Sequence, residues 1–235
     1  MGCDCHVYVE TKLPNGNWAT FPPTNVPCEW CNGTGKSGNG TACFSCNGSK
    51  VTNDPQGWYH SRNYNVFAIL ADVRNNYGFT PIAMPRGIPE DTAIIETHDL
   101  PYDERTYVSF GDHSFSWLLL QEILDYDWDQ PVAKHGMVSV AEYKEWATKG
   151  KPNSWSGGVG GGGVRIIDAE TMGEFIKTGQ VTSDPRVHYY AEVHWEDTCR
   201  ASCAPFLQRM ELLRERAAKE GFKPSDVRLV FGFDS

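Results

Sequence analysis

The sequence predicts an α+β fold: a single domain over 1–235 with a largely antiparallel central sheet, flanking helices and a short insertion at 22–57. Three features predict it. Alternating apolar runs stand near both ends, Val7 to Glu10 and Val227 to Phe233, so strands remote in sequence are available to pair. Between them lie runs whose apolar residues recur at helical spacing. The segment 22–57 breaks both patterns, because it is nearly devoid of aliphatic residues and carries four cysteines.

Val7 to Glu10, the Asn15-Gly16 turn and Trp18 to Phe21 predict an opening β-hairpin. The Gly, Ser, Thr and Asn of 22–57 cannot build a core, so that insertion needs a staple. Asn63 to Arg74 and Ser114 to Tyr126 both read as core-facing helices, the second capped by Ser114 with His113 at its mouth. Asn76 to Gly111, with Pro81, Pro85, Pro89 and Pro101, reads as a long ordered loop. Ser139 to Ala147 and Asp168 to Lys177 read as short helices, the latter opened by Asp168 and stopped by Gly179. The glycine-rich Ser156 to Gly163 lacks the Lys-Ser or Lys-Thr of a phosphate loop and reads as a flexible connection. Arg186 to Trp195 reads as a strand. A helix then runs to about Glu220, with Pro205 in its first turn if Ser202 caps it and Gly221 closing it.

Composition bounds the function. Thirty acidic against twenty-one basic residues give a net charge of −9, which opposes non-specific attraction to nucleic acid or anionic membranes. No run reaches the roughly 18 apolar residues of a membrane helix. The first residues have neither a basic nor an apolar signal region, and His6 stands where myristoylation needs Ser or Thr. The expectation is a cytoplasmic protein.

Cys28-Glu29-Trp30-Cys31 and Cys43-Phe44-Ser45-Cys46 are two Cys-x-x-Cys pairs separated by eleven residues. That spacing lets Cys28, Cys31, Cys43 and Cys46 reach one tetrahedral zinc, and four protein sulfurs leave no open coordination position. The expected cofactor is therefore a structural zinc. Cys3, Cys5, Cys199 and Cys203 offer a second four-cysteine set, with buried apolar cysteines as the plainer reading.

Side chains of a strand alternate between faces. Asp4, His6, Tyr8 and Glu10 then share one face of the first strand, and His188, Tyr190, Glu192 and His194 share one face of the late strand. If both strands belong to one sheet, His6, His188, His194, Asp4 and Glu192, joined by His113, form a candidate acid/base or metal-binding set. The plainer reading is a solvated sheet face. Arg62 and Arg86, with Tyr8 and Tyr190, are the candidate ligand-binding groups, because guanidinium forks suit phosphate or carboxylate. Asp234 extends the polar face of the last strand, with a loose carboxylate as its plainer reading.

Cys28 to Gly35, as Cys-x-x-Cys-x-Gly-x-Gly, resembles half of the cysteine-rich zinc module of DnaJ-type co-chaperones; Lys50 replaces the last glycine of the second repeat. Met1-Gly2-Cys3-Asp4-x-His6, Arg62-Asn63-Tyr64-Asn65-Val66-Phe67-Ala68, Ala71-Asp72-Val73-Arg74-Asn75, Pro85-Arg86-Gly87-Ile88-Pro89 and Asp112-His113-Ser114-Phe115-Ser116-Trp117 resemble an uncharacterised family of bacteriophage and bacterial proteins. Members begin Met-Gly-Cys-Asp-Ile-His, so Cys5 replaces an apolar residue, which weakens a second zinc site. The resemblance carries no activity. The leading expectation is a protein that binds a small anionic, nucleotide-like ligand and could sequester a signalling nucleotide. A metal-dependent hydrolase, such as a phosphodiesterase or nuclease, and a zinc-organised interaction module are the alternatives.

Overall fold

A computed structural model describes residues 2–24, 26–28, 30–44, 46–52, 58–94, 109–179 and 184–235. In chain order these form β1 (Cys5–Lys12), β2 (Trp18–Thr20), β3 (Val26–Pro27), β4 (Val51–Thr52), β5 (Tyr59–Ser61), α1 (Tyr64–Ala71), β6 (His113–Leu119) and α2 (Leu120–Asp125). There follow β7 (Pro131–Ser139), α3 (Val140–Lys149), β8 (Val164–Ile166), α4 (Ala169–Thr178), β9 (His188–Thr198), α5 (Cys199–Lys219) and β10 (Val227–Phe233). The class is α+β, as the sequence predicts. The chain divides into two compact units, Met1–Asp127 with Ser202–Ser235, and Trp128–Ala201.

The first unit is built on an antiparallel sheet of order β2-β1-β10-β6, with β5 also on β1. The opening hairpin is present, its turn closed by Leu13 N–H to Asn17 O and Gly16 N–H to Leu13 O. All seven residues of β10 are buried, because β1 and β6 flank it and both its faces are covered. One face meets α1, where Phe67 packs edge-on against Phe233 at 5.1 Å, and Tyr59 of β5 packs the same way on Phe206 of α5. Asn63 caps α1 by accepting from the Asn65 and Val66 amides, and Asp72 ends it in the left-handed region. The other face is covered by the proline-rich segment: Ile94 and Phe110 bury Tyr8 and Val230 beneath them. Residues 76–94 and 109–111 contain neither helix nor strand, in keeping with a long loop, while its Pro101 lies outside the described residues.

Two local readings change. Ser114 to Leu119 is a strand, not the first half of a helix, because Leu118 and Trp117 pair with Leu229 and Val230 in β10; only Leu120–Asp125 is helical. Ser114 caps no helix there and instead adopts a positive φ of 53° beside the irregular register between Phe231 and Phe233. The late helix starts at Cys199, so Pro205 lies inside it rather than in its first turn.

The second unit has a three-stranded sheet of order β7-β9-β8, antiparallel on the β7 side and parallel on the β8 side. Helices α3 and α4 are capped by Ser139 and Asp168 and closed by Gly150 and Gly179 in the left-handed conformation. They cover Val138, Ala191, Val193 and Trp195 with Tyr143 and Met172. The glycine-rich segment is a connection into β8. β7 escaped the sequence reading because a lysine, Lys134, sits at an inward position, where it is 1% exposed and bonded to Asp197 at 3.0 Å.

This architecture overturns the shared polar face. β1 is flanked by β10 on one edge and by β2 and β5 on the other, whereas β9 lies between β7 and β8. His6 and the pair His188 and His194 therefore belong to different sheets.

Candidate metal centre

The antiparallel pair β3–β4 closes the neck of the insertion, with Cys28 N–H bonded to Lys50 O. Beyond the neck, each Cys-x-x-Cys ends in the same turn. Asn32 and Asn47 take φ values of 47° and 48°, followed by left-handed Gly33 and Gly48, and Thr34 and Ser49 donate their amides to Cys31 O and Cys46 O at 2.9 Å. Asparagine and glycine are the residues that enter this conformation at least cost. The two turns fold onto each other through Cys43 N–H to Gly35 O.

Four buried sulfurs result. Those of Cys28, Cys31, Cys43 and Cys46 all lie within 4.8 Å of one another, with Cys28 3.9 Å from Cys43 and Cys31 3.8 Å from Cys46. Sulfurs about 2.3 Å from a tetrahedral zinc are separated by about 3.8 Å, whereas a disulfide needs about 2.0 Å. The donor set therefore fits a metal ion, with zinc the natural occupant of four thiolates. Burial opposes ionisation of Cys31, yet the Gly35 N–H, 3.2 Å from its sulfur, and the neighbouring cysteines outweigh it and bring the thiol down to about 6. Cys46 is lowered as well: against its burial stand the amides of Lys50 and Gly48. The knuckle is thus built to hold thiolates, and a zinc bound by all four would supply folding energy rather than an open catalytic position.

Two aromatic side chains inside the Cys-x-x-Cys pairs point away from this centre. Trp30 and Phe44 are each 71% exposed, and their rings meet at 5.1 Å with a 60° tilt. The sequence reading passed over both. Their signal was present nonetheless, since the insertion offers little aliphatic surface for an aromatic ring to pack against.

The remaining candidates form several separate groups. His6 Nε2 lies 3.1 Å from Asp234 Oδ2, while Asp234 Oδ1 accepts the Asp4 N–H at 2.7 Å and the Asp4 carboxylate takes the Arg62 fork at 2.8 and 2.6 Å. Asp234 is thereby tied down rather than loose. Tyr8 OH bonds the backbone of Ser109, and Arg86 binds Glu122 bidentately while lying 4.9 Å over the Trp117 ring. His113 stacks on Phe233 on the α1 side of the sheet, with Nδ1 2.9 Å from Ser114 Oγ; His6 pairs with Gly232, whose direction alternates with that of Phe233. His6 and His113 therefore leave opposite faces. In the second unit His188, Glu192 and His194 are exposed, Tyr190 is half-buried, and Glu192 bonds His135, a partner the sequence reading did not single out. His135 stands directly opposite His194.

Among the described residues, no second group of three or more His, Cys, Asp or Glu ligand atoms lies as close together as the four cysteines, and Cys3, Cys5, Cys199 and Cys203 form none. No helix among them is long and apolar enough to cross a membrane. No family model, curated protein or solved structure matches the chain.

Proposed function

We propose that the protein is a zinc-organised binding module, in which a structural zinc on Cys28, Cys31, Cys43 and Cys46 shapes the knuckle and the knuckle makes the contact with a partner. The observation that carries this reading is the outward Trp30–Phe44 pair on a closed four-cysteine frame. The two rings, each 71% exposed and in contact with one another, form an outward apolar patch, the kind of surface that marks a contact site. A small anionic ligand at Arg62 or Arg86 would have to displace Asp4 or Glu122, each held by two hydrogen bonds. A hydrolase built on His6, His188 and His194 would have to draw its groups from two sheets.

Metal analysis tests the first half: one zinc per chain, lost in Cys28→Ser/Cys43→Ser, with full occupancy in that variant refuting the assignment. A photo-crosslinking residue at position 44 of the full chain tests the second. An adduct formed in cell extract should require both bound zinc and Trp30; failure to form any adduct, or indifference to zinc, overturns the reading.

A further inference from the structure

The size and chemistry of the exposed face select among partners. Trp and Phe side chains offer about 150–250 Å² each, whereas a stable protein interface buries about 1,200 Å² or more and needs apolar surface around its anchors. Around Trp30 and Phe44 in sequence stand glycine, exposed Asn32, Thr34, Thr41, Asn47 and Ser49, and no aliphatic residue from Asn32 to Lys50 except half-sized Ala42. Within Asn32–Lys50, the described residues add no large apolar side chain to the two rings. Two rings suffice for unpaired bases, because every base has a π-face and stacking needs no continuing apolar rim.

Charge points the same way. In a chain of net charge −9, the stretch between Glu29 and Asp54 carries Lys36 and Lys50 and no carboxylate, and both lysines are exposed. The 60° tilt prevents one base from lying flat on both rings, so each ring serves its own base. Exposed Asn32 and Asn47, placed equivalently after each cysteine pair, offer amide donors and acceptors to base edges.

We propose that the knuckle binds single-stranded nucleic acid, with unpaired bases stacked on Trp30 and Phe44 and their phosphates held by Lys36 and Lys50. The inference rests on the reading of the knuckle as the recognition element. It accords with the overall acidity, since the chain as a whole repels phosphate and affinity must come from stacking. With at most two phosphates neutralised, the slope of log K against log salt is no steeper than about −1.4 for a single strand.

The test uses the full zinc-loaded chain with short fluorescent oligouridylate, oligothymidylate and a duplex of equal length, followed by anisotropy between about 50 and 200 mM salt. Binding of the single strands in preference to the duplex, a shallow slope that flattens in Lys36→Gln/Lys50→Gln, and a loss of more than tenfold in Trp30→Ala/Phe44→Ala at unchanged zinc content are expected. Absence of single-strand binding, equal binding of the duplex, or wild-type affinity in the aromatic variant would overturn it. A nuclease-resistant protein adduct at position 44, with no oligonucleotide binding, retains the binding-module reading and refutes this inference; absence of any adduct refutes the reading beneath it.

Discussion

Arg228 donates from Nε and Nη2 to a single oxygen of Glu10, Oε2, at 2.9 and 2.6 Å, and both side chains are buried, at 4% and 0% exposure. The other oxygen of Glu10 accepts from Thr92 Oγ1 and the Ala93 amide, and Arg228 Nη1 reaches Asp91. The guanidinium also lies 4.0 Å over the Trp18 ring. A carboxylate read in the sequence as one of a polar, chemically available strand face is thus the rivet that fastens the proline-rich segment to the sheet.

Glu10→Ala should therefore destabilise the protein by about 3–5 kcal/mol, because it leaves a buried guanidinium short of its main partner. Replacing Glu10 and Arg228 together with apolar residues of similar volume should cost much less. Urea unfolding of the two single variants and the double variant measures this, and additive losses would show that the pair does not act as a unit.

His6 and Asp234 form a second clasp, more exposed than the first. Asp234→Ala removes the acceptor of both His6 Nε2 and the Asp4 amide and should cost about 1–2 kcal/mol, with His6→Ala nearer 1. Faster hydrogen exchange of the Asp4 amide in Asp234→Ala, measured by NMR, checks the assignment. A histidine used for chemistry alone would leave stability unmoved on truncation.

Gly35 is the narrowest point of the knuckle. Its φ is 77°, and a Cβ there would stand 2.8 Å from Gly48 O and 3.0 Å from Lys50 Cγ, pushing the two turns apart. Gly35→Ala should also misplace the amide that bonds Cys31 Sγ and so lower zinc affinity by about tenfold or more. Competition with a chromogenic chelator gives the affinity, while the melting of the rest of the chain should change little.

Lys134 and Asp197 give a pH dependence with a definite sign. Burial alone would raise the Asp197 carboxyl, but the Lys134 ammonium and the Thr198 amide outweigh it and hold it below the ordinary carboxylate range. A group depressed on folding contributes stability above its unfolded value of about 3.9 and loses it as pH falls through the folded value. Wild-type stability should fall below about pH 4, and Lys134→Met should weaken that acid limb while costing about 3 kcal/mol at neutral pH. Urea midpoints at pH 7 and pH 3 for both proteins decide it.

The four-cysteine cluster was fully legible in the sequence, because residue type and spacing bring four sulfurs together through local turns, and Asn-Gly after each pair fixes those turns. So were the opening hairpin, α1, α3, α4 and the alternating last strand, since each follows from local periodicity and a capping residue. Three things were decided only in the tertiary structure. Ser114 to Leu119 has helical spacing in isolation but became a strand because β10 offered an edge, a non-local choice that periodicity cannot anticipate. β7 was hidden by Lys134, whose burial is tolerable only because Asp197 arrives from β9, sixty-three residues away. The polar faces of β1 and β9 look alike in sequence, yet one is covered by the proline-rich segment and the other carries exposed His188, Glu192 and His194. Alternation determines which side chains share a face; which strands share a sheet, and what lies on that face, depends on long-range pairing that no local run of residues encodes.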